Sequence, residues 1–363
     1  MIKADISRIE RALVLLVKNA LNKKDRGEIG EIITEGDLKF DHIEWGKLIT
    51  LAKNQGVSAI SLDGFPKEYM HIIPKDIKIR WDKAVEQVEA RHHKQIGVLK
   101  ELLDIFTKNS VYTLIVNNLC IGHTYPQPNH RECADLNIAQ PDNWAKGNKT
   151  IDNLGINVYT LNSKKSIFSF RGVTVHNHNT NPGKAEKVLV ENREINIPNR
   201  DFTALFFTRQ ITENFLDSSL VLRHLADLSL FFEAHSKQIN FEQLTRELKR
   251  EGRLKLIIHL LILSHKLLGF ETGLKLLFEQ AKAIRYISKS SVYSDFALHP
   301  TSEKIRKDLL TNEFVKSNIN DLITMTRNQR KTLKAKELIQ NKWKFRLIKR
   351  TLFCKTLLKT IFK

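Results

Sequence analysis

The stretch Leu114 to Ala139, LIVNNLCIGHTYPQPNHRECADLNIA, decides the fold. Leu114-Ile115-Val116 is a short apolar run of the kind that fills a buried strand. Asn117-Asn118 then supplies side-chain oxygens that can cap the free N–H groups of a helix start. Tyr125-Pro126 ends that helix, because the residue before a proline is held out of helical geometry. A polar loop, Gln127 to Arg131, leads into Ala134 to Ala139, where polar and apolar residues alternate with period two. The spacing predicts strand, turn, short helix, loop, strand. On the second strand Asp135 and Asn137 project to one face.

Working outward, residues 5 to 22 carry Ile6, Ile9, Leu13, Leu16, Val17 and Ala20 at helical spacing. Trp45 to Asn54 predicts a second helix closed by Gly56, Leu62 to Pro66 a turn, and Pro74 to Thr107 a long charged helix. Downstream, 142 to 154 reads as a helix ended by Gly155. Strand-like segments follow at Ile156 to Leu161, Ile167 to Phe170 and Val173 to His178, the last two joined as a hairpin through Arg171-Gly172. From Asp201 the pattern is helical: Phe202 to Phe215, Leu220 to His235, 241–250, 253–268, 272–286 and 302–325, with Gly252 and Gly269 as stops.

The 363 residues suffice for a large core, and 42% apolar with 27% charged content describes a folded globular chain. Cys120, Cys133 and Cys354 show no metal-ligand spacing and read as reduced thiols. The longest apolar run, Leu256 to Leu263, is too short to cross a bilayer. No secretory signal is expected, and the predicted location is cytoplasmic. P-loop, Rossmann and Ser-His-Asp patterns are missing from the sequence.

The layout of 114–139 resembles the DNA polymerase beta-like nucleotidyltransferase superfamily. More specifically, it resembles a bacterial branch of nucleotidyltransferase family proteins often linked to surface-polysaccharide synthesis. The signature of that branch is a Lys-Gly or Gly-Ser turn, a short helix ending Tyr-Pro, an Arg, and Gly-Asp-hydrophobic-Asp. Tyr125-Pro126, Pro128, His130, Arg131 and Asp135 keep it. Asn117-Asn118, Ala134 and Asn137 depart from it. The hairpin residues Lys164-Lys165-Ser166, Phe168, Phe170, Gly172 and Val175-His176-Asn177-His178 resemble the branch as well, with His176 where the third carboxylate is expected. Leu222-Arg223 to Asp227 is similar to its Leu-Arg-x-x-x-Asp element, and the spacing lets Arg223 and Asp227 pair on one helix face.

The resemblance implies transfer of a nucleoside monophosphate from an NTP to a hydroxyl acceptor, with two Mg²⁺ ions held by three carboxylates. Asp135, Asn137 and His176 stand at those positions, and Asp135 is the one remaining charged metal ligand. Mg²⁺ prefers charged oxygen, so the expectation is a degenerate member with weak or no catalysis. The runner-up is an active enzyme with substituted ligands. Asn117, Asn118, Arg131 and Lys164 are the candidate nucleotide-binding residues. Arg131 has a second reading, anchoring its loop by pairing with an acid. His176 and His178 share a strand face and read either as ordinary polar or structural histidines or, with Asp135, as a rebuilt transition-metal site.

The net charge of +19 is concentrated in Thr326 to Lys363, which holds thirteen Lys and Arg against one acid, Glu337. Its interleaved Trp343, Phe345, Phe353 and Phe362 suit an anionic membrane surface or a protein partner, nucleic acid less well, or simply packing on the helical domain. The predicted class is α+β: an N-terminal helical region over 1–97, a nucleotidyltransferase-like core over 98–200 with a small mixed sheet, a helical domain over 201–325, and a basic amphipathic tail over 326–363.

Overall fold

The computed structural model describes residues 8–22, 40–116, 121–133, 135–216 and 220–283. The expected helix at 302–325, the basic tail and Asn117-Asn118 lie outside the described residues.

Among the described residues three helices come first: α1 (Arg8–Leu21), α2 (His42–Asn54) and α3 (Ser58–Asp63). Asp41 caps α2 in a capping box. Its side chain accepts the Glu44 N–H at 2.7 Å, and its own N–H donates to Glu44 Oε2 at 3.0 Å. A 3₁₀ segment, Lys67–Ile72, leads to α4 (Lys75–Lys108), whose 34 residues span about 50 Å. That length lets α4 serve two cores. Ile77 and Trp81 join α1–α3, whereas Ile96, Leu99, Leu102 and Phe106 lie under the sheet.

The sheet contains β1 (Leu114–Ile115), β2 (Asp135–Ala139), β3 (Tyr159–Asn162), β4 (Lys165–Phe170) and β5 (Val173–His178), in the order β1-β2-β5-β4-β3. Strands β2 and β5 run parallel and every other neighbouring pair antiparallel, so the sheet is mixed. Helix α5 (Trp144–Asp152) lies in the crossover between the parallel strands. Arg171 and Gly172, at φ 50° and 72°, form the two-residue turn joining β4 to β5. Burial alternates along β5, with Val173, Val175 and Asn177 inside.

One pair of strands is absent from the sequence reading. β6 (Ala185–Val190) and β7 (Arg193–Pro198) form a separate hairpin through Glu191-Asn192, both at positive φ. Its signal was weak because β6 is exposed over most of its length. Val190, Ile195 and Ile197 nevertheless complete the core beneath the sheet.

The remaining helices among the described residues are α6 (Arg200–Leu216), α7 (Leu222–His235), α8 (Phe241–Arg250), α9 (Leu254–Leu268) and α10 (Thr272–Ala283). Gly269 caps α9 at φ 80°, in the left-handed region where glycine carries no Cβ penalty. Buried side chains of α1–α3 and of α6–α10 belong to one apolar cluster, so the two ends of the described chain share a core. Tyr125 and Ile121, from the stretch between β1 and β2, reach into it as well.

Gly64 marks where α1 crosses the end of α3. A Cβ there would sit 1.8 Å from the Leu16 carbonyl oxygen, although the backbone φ of −78° suits any residue. Asn19 Nδ2 donates to the Gly64 carbonyl at 2.6 Å. Gly64→Ala should therefore destabilise the protein by roughly 1–3 kcal/mol through overpacking, read as a lower urea midpoint at unchanged slope.

Candidate functional site

Parallel pairing of β2 with β5 sets Asn137 opposite His176 and Ala139 opposite His178. Paired residues share a face, so Asp135, Asn137, His176 and His178 all project from the same side of the sheet. His176 Nε2 lies 3.3 Å from Asp135 Oδ2, and His178 Nε2 lies 2.9 Å from Asn137 Oδ1. The four polar residues thus interlock as two side-chain pairs. Helix α6 covers one end of this face, where Phe206 meets the His178 ring edge-on at 5.1 Å and packs with Phe202 on Leu114, Val116 and Ala139.

Burial grades the site. Asp135 keeps 40% of its side chain exposed, whereas Asn137 is buried. Desolvation, with help from the Lys165 charge and then from His176, pushes the His178 pKa down to about 3. That ring is neutral at physiological pH and donates Nε2–H to the Asn137 amide oxygen. His176 Nδ1 is buried without a hydrogen-bond partner among the described residues.

The register also separates the two lysines of the hairpin. Lys165 pairs with His178 and stands on the Asp135 face, and burial lowers its pKa against the opposing pull of Glu213 and Asp135. Lys164 is exposed in the turn before β4, its N–H held by Asn162 Oδ1 at 2.8 Å. Both residues follow the same motif in sequence, and only the start of the strand separates them.

This donor set does not fit a pair of Mg²⁺ ions. Asp135 is the one carboxylate of the interlocked set, the Asn137 amide oxygen is engaged by His178, and the facing imidazole nitrogen of His176 is turned to Asp135. Among the described residues no three His, Cys, Asp or Glu side chains are grouped to hold a metal ion. Cys133 is a free thiol that donates to the Asp135 carbonyl at 3.2 Å. The rebuilt-metal reading joins Asp135 to His176 and His178; Asp135 meets His176, but His178 Nε2 is turned to Asn137 and the three are not grouped around one ion position.

Arg131 takes the anchoring role. Its buried guanidinium donates to both oxygens of Asp227, Nε to Oδ1 at 2.7 Å and Nη2 to Oδ2 at 2.9 Å. Tyr125 Oη donates to Asp227 Oδ1 at 2.7 Å, and Arg223 Nη1 to Oδ2 at 3.2 Å, the pairing that helical spacing predicts. Burial opposes ionisation of Asp227, but the two guanidiniums override it and hold its pKa below the usual value. Burial and the neighbouring Asp227 charge push the Tyr125 pKa well up, so the phenol remains a donor. The Tyr-Pro corner, the Arg and the Arg-x-x-x-Asp helix are therefore parts of one buried knot.

Beside it, His130 Nδ1 lies 2.7 Å from Asp63 Oδ2, and Nε2 lies 3.0 Å from Glu89 Oε1. Two carboxylate acceptors require two N–H donors, hence an imidazolium. Burial works against the charge, yet the hydrogen bond and attraction of Asp63, followed by those of Glu89, raise the His130 pKa above 6.5. No sequence signal singled out these partners, because Asp63 and Glu89 lie far from His130 along the chain.

A mixed sheet with its Asp strand parallel to the hairpin strand, joined by the buried Arg131–Asp227 knot to a helical half, defines a nucleotidyltransferase-type α+β protein. A family model described as uncharacterised nucleotidyltransferase matches residues 41–269, and the chain belongs to that family. No curated protein matches it. A solution structure of the antibiotic-resistance factor ANT(2'')-Ia matches 39% of this chain and 84% of that one, at 9% identity and a TM-score of 0.34. A likeness of that size carries no argument about this site.

Two outcomes follow from the buried charges. Arg131→Met leaves Asp227 with one guanidinium and should cost about 3–5 kcal/mol in chemical denaturation. His130 has a folded pKa above its unfolded value, so its stabilisation is complete below about pH 6.5 and fades as pH rises through the folded value. Denaturation of wild type and His130→Gln across that range should show the two stabilities converging as the pH rises.

Proposed function

We propose that this protein uses a nucleotidyltransferase scaffold to bind a nucleotide or a partner, with weak or no transfer of nucleoside monophosphate. The observation that carries the reading is the interlocked set Asp135–His176 and Asn137–His178. Two-metal transfer needs several carboxylates to hold a pair of divalent ions against their mutual repulsion. Here one carboxylate faces two imidazoles and an amide, and Lys165 brings a positive charge to the same face, drawn by Glu213 and Asp135. Cations of the protein, Lys165 foremost, would contact the phosphates of an NTP in place of a metal pair. The nucleotide base, the acceptor and any membrane or protein contact of the basic tail belong to the same proposal. No described helix is long and apolar enough to cross a membrane.

The test is to titrate the full-length chain with the four NTPs, with and without Mg²⁺ or Mn²⁺, while assaying pyrophosphate. The expected result is nucleotide binding that changes little with metal and negligible pyrophosphate release. Replacing Asn137→Asp together with His176→Glu rebuilds three carboxylates and should strengthen Mn²⁺ binding by roughly tenfold or more, measured by titration calorimetry. Metal-dependent pyrophosphate release by the wild type that disappears in Asp135→Ala would instead establish a working transferase with substituted ligands.

A further inference from the structure

A cavity of about 150 Å³ lies where the β6–β7 hairpin meets the His123-Thr124 turn, the first residue of α6 and the end of α7. It shares no lining residue with the Asp135 face. His123, Arg200 and His235 line it, with Val188 and Ile197 among its apolar walls. The Arg200 side chain is only 13% exposed, and its Nε is buried with no hydrogen-bond partner among the described residues. Glu186 Oε2 approaches to 3.4 Å, within ion-pair range but outside hydrogen-bonding geometry, and Glu186 itself is 42% exposed. Asp201, next along the chain, is engaged elsewhere, accepting the Asn240 N–H at 2.6 Å.

The imidazoles feel the same charge. Partial desolvation first, and the Arg200 guanidinium second, depress the pKa of both His123 and His235. His235 Nδ1 and Gln238 Oε1 are 3.1 Å apart, which leaves Nε2 free of that bond. A mostly buried guanidinium whose Nε makes no hydrogen bond, answered by a part-exposed Glu186, stands with two protonatable rings around one cavity, an arrangement with donor capacity to spare for a second anion. Phosphate suits it best: it is doubly charged and offers several acceptor oxygens to a guanidinium fork and two imidazoles.

We infer that this cavity is a binding site for the phosphate group of a small ligand, gripped by Arg200 and flanked by His123 and His235. Binding supplies negative charge beside both rings, so their pKa values rise and the complex takes up protons. The inference does not depend on nucleotide binding at the Asp135 face.

Calorimetry on the full-length chain, using inorganic phosphate and glycerol 3-phosphate as separate probes, tests the site. Saturable binding is expected for at least one probe, and the tighter one tells free phosphate from a phosphomonoester. Arg200→Gln should weaken that binding roughly tenfold or more, with partial retention in Arg200→Lys. Asp135→Ala should leave it unchanged, which separates this site from the strand face. NMR titration of the wild type, which requires no variant to fold, should show the midpoints of His123 and His235 moving upward with phosphate. The inference is overturned if neither probe binds, if Arg200→Gln binds as tightly as wild type, or if both midpoints stay put.

Discussion

The structure depends on the satisfaction of one buried carboxylate. Asp227 has no measurable exposure, and an isolated charge there would carry a desolvation cost of several kcal/mol. Arg131, Arg223 and Tyr125 meet it together, from the loop before β2, from its own helix and from the turn after β1. Each partner is useful only when the other elements are in place. The knot consequently fixes the approach of the sheet to the helical half, and with it where β2 begins.

The path of β2 determines what its side chains can do. Starting the strand at Asp135 and running it parallel to β5 brings two imidazoles against Asp135 and Asn137. The polar side chains answer one another, and their mutual hydrogen bonds take up groups that a metal pair would require. Behind the same strands the opposite face is closed differently. Asn177 donates to Gln140 and Asn148, and Ser166 donates to Asn148, making a polar patch that ties α5 to the sheet. The alternating residues of His176-Asn177-His178 thus serve two faces with unrelated tasks.

Much of the architecture was legible in the sequence. Helical periodicity gave α1, α4 and the run from α6 to α10 nearly to their ends, and Arg171-Gly172 marked the β4–β5 hairpin. The β6–β7 hairpin escaped notice because its alternation is interrupted by charged residues on an exposed strand. The same difficulty hid the placement of Lys165 on the Asp135 face, because a one-residue step on a strand reverses the side chain. His130 stood out as part of a motif, but its carboxylates come from α3 and α4, which no local pattern connects to it.

By itself the sequence determined the α+β class and the placement of Asp135 and Asn137 on one strand face. Those properties follow from periodicity and residue type, which are local. Only the tertiary structure decided that Arg131 serves Asp227, that His178 closes Asn137, and that Arg200 joins two histidines around a cavity. Each of these depends on strand register or on the crossing of distant elements. Electrostatic partnership is set by distance and burial in space, and neither is written along the chain.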